Sequence, residues 1–320
     1  MPAETMRAVV HERYGELRSG ESPRPVPGDG EVLVRVAAAS INHADLFILH
    51  GVPRLGRLAF GLRRPKHPVL GRAYAGTITA TGPGITGLRA GDEVFGEATH
   101  GAFAEYVAAP VKRLARKPTG VTFAQAATLP IAATTALQAW QVSPGENVLI
   151  NGASGGVGTF AVQLAKDLGA TVTGVCSTRN TELVRSLGAD HVIDYTEEDF
   201  TQGSARYDVV LDLAGNHPLA AVRRVLTPKG TYLASTGNGG EILGPMPRVL
   251  GALVTTPFVS HRLRNLVATT RPADLTHLAT LVAAGRITPS IEATHPLSET
   301  AKAIELLETA HARGKVVLVP

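Results

Sequence analysis

Cysteine is almost missing from this chain: Cys176 is the single thiol in 320 residues. That excludes an internal disulfide framework and any zinc site built from several thiolates. Aromatic residues are 5% of the sequence, with Trp140 the one tryptophan. Little is left for stacking bases, and no nucleic-acid partner is expected. No apolar run reaches the roughly 18 residues that span a bilayer, and no signal peptide opens the chain. A cytoplasmic protein with no membrane partner is therefore the expectation. Charge of one sign is scarce as well. Lys and Arg number 31 against 27 Asp and Glu, and the resulting +4 is scattered, not gathered in a tail. That is a weak case for polyanion binding. What the chain does hold is a globular composition, 44% hydrophobic and 18% charged. Its length is about twice that of an average domain, so two domains are expected.

Residues 1–118 read as β-rich. Met6–Val10 and Glu31–Ala37 are β-branched, partly alternating runs, set apart by turn clusters such as Pro23–Gly28. Tyr74–Thr81, Asp92–Gly96 and Ala102–Ala108 add strands, and Asn42–Leu49 is a helical interruption. Many short strands at close spacing suggest a small, partly open barrel. From Thr122 the texture changes. Thr122–Trp140 is Ala-rich and helical, with a break at Pro130. Strand and helix then alternate through Asn147–Asn151, Thr171–Cys176, Glu182–Leu187, His191–Asp194, Tyr207–Leu213 and Thr231–Ser235. Such alternation implies right-handed βαβ units and a doubly wound parallel sheet, an α/β class. The last thirty or so residues read differently: Ser298 as an N-cap, an amphipathic helix through Ile304 and Leu307, and a closing strand Lys315–Val319. The partner of that strand is not visible in the sequence.

The sharpest motif is Asn151-Gly-Ala-Ser-Gly-Gly-Val-Gly158. It follows a strand directly and opens a helix. A dinucleotide pyrophosphate needs backbone N–H groups at a helix N-terminus with no side chain in the way. Gly152, Gly155 and Gly158 supply the tight turn, the close approach and the close packing, with Ser154, Gly156 and Val157 between them. The spacing is G-x-x-G-x-x-G, not the commoner G-x-G-x-x-G. An NAD site usually carries an acid about 20 residues later to hold the ribose 2′-hydroxyl. Here that stretch is Cys176-Ser-Thr-Arg-Asn180, with no acid before Glu182. Ser177 and Arg179 suit a 2′-phosphate, so NADPH is the expected cofactor.

At this point the sequence resembles the zinc-free quinone-oxidoreductase branch of the medium-chain dehydrogenase/reductases. The resemblance runs through Ala39-Ser-Ile-Asn-His-Ala-Asp45, Pro68-Val-Leu-Gly71, Gly91-Asp-Glu-Val-Phe95, Gly101–Val107, Leu129-Pro130, Asn151–Gly158, Leu187–Tyr195 and Gly314-Lys-Val-Val317. It implies a GroES-like substrate domain made of residues 1–118 and 289–320, and a Rossmann domain over residues 119–288. It also implies hydride transfer from NADPH to a quinone or other activated alkene or carbonyl acceptor. On this resemblance Asn42 and Asp45 belong to the catalytic segment, and Thr135 lies near the nicotinamide ribose. Ser177, Arg179 and Tyr195 contact the adenosine phosphate end, and Leu213 and Ala214 support the cofactor ribose. A homodimer is implied too, joined through the β-prone Thr256–Ser260.

Where zinc-dependent relatives carry Cys, this chain has Asn42, and for Gly-His-Glu it has Gly71-Arg72-Ala73. A family-type zinc site is therefore not expected. An acid common after the Gly71 position is replaced by Ala73, and Leu46–Gly51 lacks a proton-donating Tyr. A quinone can take its proton from water, so this loss is tolerable there. The alternatives are an enoyl-thioester reductase and a low-turnover NADPH-binding protein. The basic Arg54–His67 segment reads as a solvated loop with an apolar underside, or as a lid attracting an anionic substrate.

Overall fold

The turn chemistry and the two hydrophobic periods divide the chain between two kinds of sheet. The computed structural model describes residues 4–235, 242, 244, 246–256, 259–309 and 313–320. Two compact units form: Met1–Thr134 with Thr269–Pro320, and Thr135–Ala268. In chain order the first unit contributes β1 (Thr5–Val10), β2 (Arg18–Pro23), β3 (Glu31–Ile41), β4 (Ala73–Thr81), β5 (Glu93–Glu97), β6 (Tyr106–Pro110) and β7 (Leu114–Arg116). The second contributes β8 (Asn147–Asn151), β9 (Thr171–Cys176), β10 (His191–Asp194), β11 (Tyr207–Asp212), β12 (Leu226–Ala234) and β13 (Arg262–Asn265). The chain then returns to the first unit for β14 (Ile291–Pro296) and β15 (Lys315–Val319).

The first unit is organised by β3. Its alternating Val32, Val34, Val36 and Ile41 enter a core with Leu70, Tyr74, Ile78, Phe103 and Val316. On one side β3 pairs with β4 along most of its length. On the other, β6 takes its first half and β15 its last residues, both antiparallel. These partners carry β3 to Ile41, four residues past the reach of its sequence pattern. The sequence marks a strand from Ala102, but β6 starts at Tyr106, and Ala104 makes only an isolated bridge to Ala8. Ser298 is not an N-cap. It lies in a 3-10 turn, and Glu299 caps the helix Thr300–Glu308. Pro130 breaks its helix as expected. The following Ile131 adopts φ 66°, ψ −68°, a strained three-residue turn for a β-branched side chain.

The second unit holds a six-stranded parallel sheet in the order β10-β9-β8-β11-β12-β13. This is the doubly wound order, with the direction of winding reversing between β8 and β11. Leu149, Val175, Val210 and Tyr232 fill one core beneath it. β12 begins at Leu226, five residues before the expected start, with a register shift against β11. β13 closes the described sheet on its far side. Pro257 and Phe258, within the Thr256–Ser260 run expected at this edge, lie outside the described residues. Among those residues no helix is long and apolar enough to cross a membrane.

The β3–β4 contact leaves no room for a side chain at Gly76, where an added Cβ would sit 2.1 Å from the Arg35 carbonyl oxygen. Gly76→Ala is expected to cost more than about 4 kcal/mol. Gly84→Ala, at positive φ but with open space around it, should cost only about 1–2 kcal/mol. Urea denaturation of the two variants gives the comparison.

Candidate active site

Asn42 follows β3 directly and occupies the N-cap of the helix His43–His50. Asp45 Oδ2 accepts the Asn42 backbone N–H at 2.8 Å, the reciprocal half of a capping box. The Asn42 amide is engaged elsewhere. Its Nδ2 donates to the Ser40 carbonyl at 3.0 Å, and its Oδ1 accepts from Lys315 Nζ at 2.6 Å. Lys315 Nζ also donates to the Ile41 carbonyl at 2.7 Å. The antiparallel register of β15, Val316 opposite Ile41, brings Lys315 to Asn42. An ammonium has only donors, so the amide must present its oxygen to Lys315. The Asn42 side chain also hydrogen-bonds the Asp45 carboxyl.

These groups are sealed from water: Asp45 is 0% and Lys315 3% exposed. Burial pushes the Asp45 carboxyl up to about 6, against the pull of the Asn42 N–H, Arg72 and Lys315. Burial likewise pushes Lys315 down to about 7, with Asp45 pulling the other way. Asp45 Oδ1 has no hydrogen-bond partner.

Arg72 forms a close ion pair with Glu97, whose carboxylate also lies 4.0 Å from Arg113. No group of three or more His, Cys, Asp or Glu among the described residues could hold a metal ion. A zinc ion does not fit the donors at these positions. The amide oxygen of Asn42 already meets a cation, and Arg72 is itself one.

In the second unit the glycine turn joins β8 to the helix Gly156–Asp167. Gly155 caps that helix with no side-chain hydrogen bond, leaving its first amides open to an anion. A Cβ on Gly158 would lie 2.2 Å from the Gly152 carbonyl oxygen, so only glycine closes this turn. Gly152 faces Leu213, where an added Cβ would approach to 3.3 Å. The turn is braced from below. Asn151 Nδ2 donates to Asp212 Oδ1 and Asn216 Oδ1, both at 2.9 Å. Asp212 also accepts from Gly215 N and Tyr232 OH. The cradle fits a dinucleotide pyrophosphate, and it stands at the strand-order reversal where such ligands bind.

After β9, Ser177 leads into the 3-10 turn Thr178–Asn180, which carries the exposed Arg179. Asn180 Nδ2 donates to Ser154 Oγ at 3.1 Å and Ser177 Oγ at 3.2 Å. Both hydroxyls keep their own hydrogens for another acceptor. Tyr195 follows β10, pairs its N–H with the Cys176 carbonyl and is 56% exposed. Asp194 is an acid on the neighbouring strand, held by Thr178 and Thr196 hydrogen bonds that keep its carboxyl below the usual range.

The structure thus gathers Asn42 and Asp45 in one unit. It gathers Gly152, Ser154, Gly155, Gly156, Val157, Gly158, Ser177, Arg179, Tyr195, Leu213 and Ala214 around the C-terminal ends of β8–β11 in the other. Thr135 opens the second unit and is 9% exposed. Sequence reasoning missed Lys315 and Asn180. Lys315 stood in a quoted motif, Gly314-Lys-Val-Val317, as the one charge in a β-branched run. Asn180 lay three residues beyond Ser177 with no pattern to single it out.

Residues 28–119 match the model of the alcohol dehydrogenase GroES-like domain, and residues 187–318 that of the zinc-binding dehydrogenases. A chloroplast envelope quinone oxidoreductase homolog of Arabidopsis thaliana is 32% identical over 343 aligned positions, covering all of both chains. The chloroplastic NADPH-dependent alkenal/one oxidoreductase of the same plant is 35% identical, covering 98% of this chain and 80% of that protein. Among solved structures, the quinone oxidoreductase of Coxiella burnetii superposes with a TM-score of 0.89 at 31% identity, covering 99% of this chain and 100% of that one.

The buried Asp45–Lys315 pair should mark the stability profile. With the folded carboxyl at about 6 against an ordinary 3.8, the unfolded chain loses this proton first, and stability falls as pH rises from about 4 to 6. With the folded ammonium at about 7 against 10.5, the unfolded chain keeps its proton longer, and stability falls as pH drops from 10.5 toward 7. The pair therefore contributes a minimum between about pH 6 and 7. Melting temperature scanned against pH should show a dip there that flattens in the Asp45→Asn/Lys315→Met double variant.

Proposed function

Because the chain belongs to the quinone-oxidoreductase branch of the medium-chain dehydrogenase/reductases, we propose that it transfers hydride from NADPH to a quinone or another activated alkene or carbonyl acceptor, without zinc. The observation that carries this reading is the Lys315 ammonium on the Asn42 amide. Hydride arrival on a conjugated acceptor leaves negative charge on its oxygen. The Asn42 amide would donate an Nδ2 hydrogen to that oxygen in exchange for one of its resting contacts, and the cation on its own carbonyl polarises it for the task. Asn42 does not titrate, so it orients and stabilises while water supplies the proton. Asp45 holds Asn42 in place through its backbone N–H. Thr135 belongs to the same catalytic group by the family resemblance.

When bound, NADPH supplies the hydride. The amides of Gly156–Gly158 would hold its pyrophosphate, the Gly155 N–H being spent on the Gly152 carbonyl, and Leu213 and Ala214 would back its ribose. Ser154, Ser177 and Arg179 meet the 2′-phosphate, beside Tyr195. The two hydroxyls whose lone pairs Asn180 occupies support phosphate over a ribose hydroxyl, because phosphate only accepts. The Arabidopsis alkenal/one oxidoreductase is NADPH-dependent by its name, which agrees. A homodimer belongs to this reading, and light scattering should give a mass near twice 33.4 kDa.

Asn42→Ala is expected to lower turnover on the order of a hundredfold with NADPH affinity nearly unchanged. Stopped-flow hydride transfer beside cofactor titration measures both, and equal loss of the two would defeat the assignment. Arg179→Ala should weaken NADPH about ten- to a hundredfold and leave NADH alone. Asn180→Asp should do the same by capturing both hydroxyl hydrogens. Purified protein should carry zinc far below one per chain, and chelators should leave activity intact. A screen of quinones, enones and enoyl thioesters with NADPH names the acceptor. Exclusive turnover of thioesters, or of none, would replace this reading.

A further inference from the structure

The segment from Arg54 to Lys66 has two faces, and only one is explained by the site. Its inner face carries Phe60, Pro65 and Lys66, which with Ile48 and Leu70 wall a cavity of about 360 Å³ inside the first unit. The apolar underside expected from the sequence is only this part. The leucines lie outside: Leu55 is 51%, Leu58 72% and Leu62 67% exposed. Their exposure is not the result of a loose loop. Arg57 stacks on the Tyr14 ring at 4.4 Å and donates to the Gly51 carbonyl at 2.9 Å. Tyr14 OH donates to the Gly61 carbonyl, and Lys66 N–H to that of Phe60 at 2.7 Å. The backbone is held at both ends with its leucines turned to solvent.

Along the segment the charge has one sign. Arg63, Arg64 and Lys66 are exposed, and among the described residues no side chain pairs with theirs. No Asp or Glu occurs between Asp45 and Asp92, a stretch holding seven Arg and Lys. Three outward aliphatic side chains rimmed by unpaired cations match a surface that is apolar within and anionic at its boundary. A second copy of this chain fits poorly, because a two-fold contact would set this wholly cationic patch against an identical one. A small anionic ligand in the cavity does not engage the leucines, which face away from it.

We propose that the 54–66 segment docks the protein on an anionic lipid surface, with Leu55, Leu58 and Leu62 in the interfacial layer and Arg63 and Arg64 on headgroup phosphates. Absence of a membrane-spanning run does not bear on this, because the contact is peripheral. Docking brings the walled cavity to the lipid boundary, where apolar quinones dissolve. That consequence rests on the reductase reading; the docking itself does not.

The test is co-sedimentation of the full chain with vesicles of phosphatidylcholine alone or mixed with phosphatidylglycerol, at low and high salt. Wild type should pellet with the mixed vesicles, not with phosphatidylcholine alone, and salt should release it. Leu58→Ser/Leu62→Ser and Arg63→Gln/Arg64→Gln should each weaken vesicle binding more than about tenfold with unchanged melting temperatures. No binding to the mixed vesicles, or binding untouched by both double variants, overturns the proposal. So does a leucine variant that changes the mass in light scattering without changing vesicle binding, which makes the face a contact between copies. A leucine variant that raises KM for a water-soluble quinone, with wild type failing to pellet, makes the segment a lid instead. Failure to reduce any acceptor, with vesicle binding intact, would count against the reductase reading alone.

Discussion

The site in the first unit depends on one strand pairing. β15 lies antiparallel to the end of β3, and its register sets Lys315 against Asn42 across 273 positions of sequence. Burying an ammonium is costly unless its hydrogens and its charge are answered. Here the Ile41 carbonyl, the Asn42 amide oxygen and the charge of Asp45 answer them. The same contacts fix which way the amide points. A residue that would otherwise only cap a short helix has its amide oriented by a cation. Asp45 shares in this arrangement from the other side, holding the Asn42 backbone while its own carboxylate is kept from water.

The second unit reaches its function by the opposite route, through backbone. The glycine turn offers amides without side chains, and a buried polar brace of Asn151, Asp212 and Tyr232 holds it at the reversal of the strand order. Side chains on the turn after β9 add to this backbone frame. Asn180 donates to two serines at once, so their hydroxyls keep their own hydrogens. The proposed preference for a phosphate over a hydroxyl would thus turn on one amide.

Much of this was legible because its physical causes are local. Parallel strands buried on both faces read as apolar β-branched runs, as β8 and β9 do, and β8, β9, β10 and β15 begin and end where the sequence places them. The glycine turn was legible for the same reason, since its spacing and its flanking strand and helix lie within thirty residues. β2 and β14 carried no such signal. Arg18–Pro23 is polar throughout, and Ile291–Pro296 alternates half-buried with exposed positions on an edge. β12 was cut short because Pro228-Lys-Gly230 reads as a turn, whereas the strand passes through it with a register shift against β11.

The sequence by itself determined the class of fold, the phosphate cradle and the absence of the thiolates that a multi-cysteine zinc site needs. Each follows from residue type and short-range spacing. Only the tertiary structure decided that Lys315 is buried on Asn42, that Asn180 spends its donors on two serines, and that the leucines of the 54–66 segment face outward. A lysine in a strand, an asparagine in a turn and a leucine in a basic loop have no intrinsic partner. Register between distant strands and the packing of Arg57 on Tyr14 supplied their surroundings, and those contacts are set by chain segments that local pattern does not connect.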